Sequence, residues 1–207
     1  MAEPQTLPRA GALTRFTSPL ATPPVASANE LILAELAVPG QINLRGRPSD
    51  NAFLAAAGSV LDCRLPVSPN TVQTAGDLTV LWLGPDEWLV LTPPGAEAAI
   101  IGRLREALAG VHAAMTDVSG NHARLRLTGN HAREVLAKGC SLDLHPRRFQ
   151  PGRCAQTLIV RSGVILHQLD DRPSYDLLPR RSFAEYLWLW LTDAMAEYGG
   201  RTVTQSR

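Results

Sequence analysis

Cysteine is scarce: Cys63, Cys140 and Cys154 are the only three in 207 residues. No two stand at a C-x-x-C spacing, which excludes both a disulfide framework and a sequence-evident zinc site. The expectation is three free thiols in a reducing compartment. Charge of one sign is also lacking, since 20 basic residues balance 19 acidic ones for a net +1. Binding to nucleic acid or to an anionic membrane surface needs a basic excess on one face, so both are excluded as partners.

Long hydrophobic runs are missing too. None approaches the roughly 20 apolar residues of a membrane span, and residues 1–28 lack the basic-then-apolar pattern of a secretory leader. The expected location is cytoplasmic. Catalytic signatures are equally thin. The five histidines (112, 122, 131, 145 and 167) contain no H-E-x-x-H or other close ligand pair. Neither G-x-G-x-x-G nor G-x-x-x-x-G-K-[ST] occurs, so no loop is marked for cradling a nucleotide phosphate. G-x-S-x-G is absent, and nothing around Ser119-Gly120 marks a nucleophile.

What is present is a 45% apolar chain, long enough for one sizeable core or two packed lobes. Residues 1–28 are broken by Pro4, Pro8, Pro19, Pro23 and Pro24 and read as a tail, mobile or ordered on a partner. Residues 201–207 read as a second tail. Between them the apolar period alternates between two and 3.6. Strands are predicted at 41–44, 78–83, 88–91, 113–118, 124–127, 155–160, 164–169 and 175–178. Helices are predicted at 52–57, capped by Ser49 or Asp50 and closed by Gly58, at 96–109, from Asn130 to Gly139, and at 182–198. Ser182 and Glu185 make an S-x-x-E capping box for the last. Arg161-Ser162-Gly163 is read as a turn. The order β-α-β-β-α-β, then β-α-β-β-β-α, predicts an α+β fold of two split βαβ, ferredoxin-like lobes, 29–119 and 120–200, with helices on one face of antiparallel sheets.

Two aromatic stretches stand out. Trp82 and Trp88 flank the acidic turn Pro85-Asp86-Glu87, and Tyr186-Leu187-Trp188-Leu189-Trp190-Leu191 is apolar at every position. A helix apolar all round buries one side in its own core and leaves the other for a neighbour. Asp86, Trp88, Trp188 and Trp190 are therefore the candidate subunit-contact residues; no catalytic, cofactor-binding or metal residue is assigned.

Leu83-Gly84-Pro85-Asp86-Glu87-Trp88-Leu89, Asp117-Val118-Ser119 and the string from Leu127-Thr128-Gly129-Asn130 through Gly139-Cys140-Ser141-Leu142 to His145-Pro146 carry a resemblance. So does Arg181-Ser182-Phe183-Ala184-Glu185-Tyr186-Leu187-Trp188. Together they resemble the gamma subunits of heterotetrameric sarcosine oxidases, from about Asn43 to Tyr198. More distantly, Asp117 to Gly163 is similar to the first half of folate-dependent aminomethyltransferases, the glycine cleavage T protein family. That family follows its glycine turn with paired aspartates. Here Leu166 and His167 stand at those positions, and Asp170-Asp171 comes too late in the strand. The resemblance implies a structural subunit of a complex that oxidises sarcosine to glycine, hands the one-carbon unit to tetrahydrofolate and forms hydrogen peroxide. Its partners would be alpha, beta and delta subunits, and FAD, FMN, NAD, tetrahydrofolate and zinc would sit on those partners. A gamma-like subunit of N-methylglutamate dehydrogenase and a standalone folate binder are the alternatives.

Overall fold

The computed structural model describes residues 11–13, 19–27 and 30–203. Eleven strands and four α-helices follow in the order β1 (Leu31–Leu36), β2 (Gly40–Gly46), α1 (Asn51–Leu61), β3 (Val72–Ala75), β4 (Leu78–Gly84), β5 (Glu87–Thr92), α2 (Glu97–Ala107), β6 (Ala113–Asp117), β7 (Arg124–Gly129), α3 (Ala132–Ala137), β8 (Cys154–Ile159), β9 (Ser162–Asp170), β10 (Ser174–Pro179), α4 (Ala184–Met195) and β11 (Arg201–Val203). They build two sheets, β3-β4-β5-β2-β6 and β11-β1-β7-β10-β9-β8, in which every pair but β1–β11 is antiparallel. The fold is α+β with antiparallel sheets, as the alternating periods predict.

Alternation along the strands gives each sheet two differently used faces. On one sheet Ile42, Leu44, Val80, Trp88 and Val90 pack with Phe53, Ala57, Leu61, Ile100 and Leu104 of α1 and α2. On the other, Leu33, Leu125, Leu127, Leu166, Tyr175 and Leu177 pack with Val135 and Leu136 of α3 and Leu187, Trp188 and Leu191 of α4. The faces turned away from the helices meet each other through Leu81, Leu89 and Leu91 on one side and Cys154, Ile165 and Leu178 on the other. The helices are outermost and the two sheets form the middle layers.

Three strands escape the sequence pattern, and two of them redraw the predicted lobes. β1 precedes the 120–200 segment by some ninety residues of chain yet pairs with β7 in that segment's sheet, Leu33 opposite Leu127 and Leu31 opposite Gly129. All six of its residues are buried, so apart from Glu35 it reads as an apolar run with no period. β11 falls within the predicted tail 201–207 and adds to β1 in parallel, Leu33 opposite Thr202; residues 204–207 lie outside the described residues. β3 is the four-residue edge strand beside β4.

The predicted N-terminal tail is anchored where it is described. Leu13 is buried in the helix-side core, the Ala12 and Leu13 amides donate to Glu35 Oε1 at 2.8 and 3.2 Å, and Leu20 bridges Leu36. Residues 1–10, 14–18 and 28 of that segment lie outside the described residues.

Local punctuation differs in instructive ways. Asp50 does cap α1, its Oδ1 accepting from the Ala52 and Phe53 amides at 2.9 and 3.3 Å. Gly58 does not end the helix, which continues to Leu61 and stops at Asp62 in the left-handed region. The predicted capping box does not form: Ser182 sits in a 3-10 turn, and α4 begins after Phe183 with no side-chain cap. His131, not Asn130, precedes α3. The β8–β9 hairpin turns at Val160-Arg161 rather than at Arg161-Ser162-Gly163, with Ile159 opposite Ser162 and Val160 at φ +53°. A β-branched residue at positive φ is strained.

Candidate functional site

Leu166 and His167, which the resemblance sets in place of carboxylates, point to opposite faces of β9. Leu166 is fully buried among the helix-side core residues. His167 faces the other sheet, in register with Cys154 on β8 and Asp176 on β10. Asp170 ends the strand, exposed, and Asp171 follows it, also exposed. No carboxylate therefore stands free at the middle of β9.

The carboxylate that is present belongs to Asp176, 1% exposed. Arg124 donates from Nε and Nη2 to Oδ2 at 2.9 and 2.7 Å, and Arg126 from Nε to Oδ1 at 2.7 Å and Nη2 to Oδ2 at 2.9 Å. Burial by itself raises the carboxyl pKa, but the two guanidiniums outweigh it and hold the group below its usual range. Four charge-assisted hydrogen bonds occupy both oxygens, leaving Asp176 a structural anion rather than a base. His167 beside it is pushed down to about 4, first by burial, which outweighs the pull of Asp176, with Arg124 and Arg126 adding to the depression. It is a neutral imidazole near pH 7.

The Asp117-Val118-Ser119 motif has a comparable role. Asp117 Oδ1 accepts from the Ser119 amide at 2.9 Å and its hydroxyl at 2.5 Å, and Ser119 Oγ accepts from the Gln41 amide at 2.8 Å. The hydroxyl joins β2 to the loop after β6, accepting from the Gln41 amide while it donates to Asp117.

The Gln41 side chain continues this network. Its Nε2 donates to the His122 carbonyl at 3.1 Å, and its Oε1 lies 3.1 Å from His122 Nδ1. The amide orientation makes Nδ1 the protonated nitrogen of a neutral ring. Burial, then the charge of Arg180, lowers the His122 pKa to about 4. His122 and Arg180 face each other as a bridge pair, and the Arg180 Nη1 donates to Asn121 Oδ1 at 3.0 Å. Together they line a pocket of about 340 Å³ with Gln156, Thr157, Val164, Leu178 and Phe183. Sequence reading missed this pair because only strand pairing joins residues 58 positions apart.

Two of the four predicted contact residues are corrected. Trp88 is 0% exposed, its ring tilted against that of Phe53 at 5.5 Å and its Nε1 donating to the Pro66 carbonyl at 2.7 Å. Trp188 is 4% exposed in the core under α4. Both fill the interior, because in an alternating strand and a one-sided helix their positions point inward. Trp190 is partly buried against the same core, and Asp86 is exposed and ion-paired with Arg45 at 3.1 Å. The outward residues of the last helical segment are instead Phe183, Tyr186 and Leu189, at 43, 38 and 50% exposure. Among the described residues no group of three or more His, Cys, Asp or Glu could hold a metal ion, and no helix is long and apolar enough to cross a membrane.

Known proteins share both sequence and shape with this chain. Sarcosine oxidase subunit gamma from an Arthrobacter species is 38% identical over 178 residues, covering 86% of each chain. That from Corynebacterium sp. strain P-1 is 37% identical with the same coverage. A chain of the heterotetrameric sarcosine oxidase from Corynebacterium sp. U-96, solved with pyrrole 2-carboxylate, superposes with a TM-score of 0.77 at 34% identity, covering 87% of this chain and 91% of that one. The glycine cleavage aminomethyltransferase from Bartonella henselae superposes at 0.60 with 14% identity, over 85% of this chain and 48% of its own, a likeness of fold. Residues 45–197 match the model of the sarcosine oxidase gamma subunit family, and the chain belongs to that family.

Proposed function

We propose that this chain is the gamma subunit of a heterotetrameric sarcosine oxidase and serves there as a scaffold that performs no chemical step. The observation that supports it most is identity of 37–38% over 86% of the length of both proteins. The site geometry fits the same reading. Asp176, a carboxylate buried beside His167, is neutralised by two arginines, and the Asp117–Ser119 pair is tied into the backbone. A group committed to structural hydrogen bonds cannot also accept a substrate proton.

In this reading FAD, FMN, NAD, tetrahydrofolate and zinc are held by alpha, beta and delta partners. The assembled complex oxidises the N-methyl group of sarcosine, transfers the one-carbon unit to tetrahydrofolate and produces hydrogen peroxide. Lobes 29–119 and 120–200 serve together as that scaffold, since β1 of the first pairs into the sheet of the second. The complex works in the cytoplasm.

Co-expression of the tagged chain with its large subunits tests the proposal. Stoichiometric co-elution, with flavin absorbance only in the large subunits, is the expected result. Saturable micromolar binding of tetrahydrofolate to the purified chain alone would favour a folate binder instead.

A further inference from the structure

The pocket beside Phe183 has an unbalanced lining. His122 and Arg180 are its only titratable residues, and no Asp or Glu is among them. Asn121 holds the Arg180 guanidinium by one nitrogen, and among the described residues no carboxylate pairs with it. A second groove on the other side of Arg180, of about 560 Å³, is lined by Ala12, Gly120, Asn121, Arg181 and Ser182, again without an acid. A guanidinium with a free edge suits a carboxylate, which it grips through two parallel hydrogen bonds.

Phe183 belongs both to this pocket and to the outer stripe of α4. Phe183, Tyr186 and Leu189 recur every three residues and are all exposed. Trp190 and Val160 extend the stripe: a Cβ built on Gly139 would lie 2.7 Å from the Trp190 ring and 2.8 Å from Val160 Cγ2. Val160 reaches that place from its strained turn. A cationic socket next to a band of apolar side chains is the arrangement of a specific interface, where the apolar centre is desolvated and the charge sets register.

Building on the subunit reading above, we propose that this face docks an unlike subunit of the same complex, which places an acidic side chain against Arg180 and apolar residues along Phe183, Tyr186, Leu189 and Trp190. Charge complementarity selects the occupant. Neither pocket lining supplies the carboxylate that the free edge of Arg180 would grip, so it has to come from the occupant.

Binding of the full chain to its separately purified large subunits, measured by surface plasmon resonance, tests the assignment. Arg180→Glu is expected to weaken binding about 100-fold or more, and Leu189→Glu about tenfold. Arg105→Glu, exposed on α2, should change it by less than about twofold. Melting temperatures within about 2 °C of the parent establish that each variant is folded. If the parent chain binds and Arg180→Glu binds as Arg105→Glu does, this docking face is wrong while the subunit assignment stands. If the parent chain binds none of the large subunits, the subunit assignment itself fails. Self-association of the chain abolished by Arg180→Glu would also overturn the proposal, by naming a second copy as occupant.

Discussion

Asp176 shows how a sequence hides a charge. In Ser174–Pro179 it is one polar letter in an apolar strand, and nothing near it in sequence announces Arg124 and Arg126. Pairing of β10 with β7 sets Asp176 opposite Arg126. Removing the anion strands two guanidiniums between the sheets, so Asp176→Asn is expected to destabilise the protein by roughly 3–5 kcal/mol in urea denaturation. His167 supplies a pH signature. Its folded pKa of about 4 lies below the ordinary value of 6.5, so the unfolded chain binds more protons between those limits. Stability from this group is complete above about pH 6.5 and is lost as pH falls toward 4, on the order of 3 kcal/mol. His122 acts in the same window and direction. Urea midpoints of His167→Gln should therefore fall about half as steeply as the parent's from pH 6.5 to 4, while the contribution of Asp176 is lost only below the ordinary carboxylate range. An unchanged slope would remove His167 as its source.

α4 was readable as a helix with two apolar sides, but which residues lie on which side was not. Its apolar run 186–191 exceeds one face, and from that pattern the tryptophans look like the natural contacts. The structure turns Leu187, Trp188 and Leu191 inward and Tyr186 and Leu189 outward. Tryptophan's size favours burial wherever the core offers room, and composition cannot tell which side of a two-sided helix that is. Leu187→Ala should cost about 2–5 kcal/mol; Leu189→Glu should change stability by no more than about 0.5 kcal/mol. Thermal melts distinguish them, and equal losses would mean that both faces are interior. β1 and β11 were illegible for a different reason. A fully buried strand has no alternation, and a three-residue strand is too short to show any. Apart from the short edge strand β3, the strand–helix order between them was legible, because two-sided sheets and one-sided helices impose their periods on the sequence.

Across the whole molecule this two-sheet frame matches in fold that of a glycine cleavage aminomethyltransferase, over 85% of the chain and about half of the other. Conserving a frame asks only for apolar volume in the right places, whereas conserving a reaction asks for particular ionisable groups held free. The first survives in this chain. None of three residues here is such a free group: Leu166 lies in the core, His167 is neutral and Asp176 is locked between arginines. Peroxide formation from sarcosine, measured per bound flavin in a complex reassembled with a chain in which His122, His167, Asp170 and Asp171 are replaced together by Gln and Asn, addresses this most directly. Turnover per flavin equal to that of the parent complex is the expected result. A drop of tenfold or more in an intact complex, assembled to the same stoichiometry, would show that this subunit takes part in the chemistry.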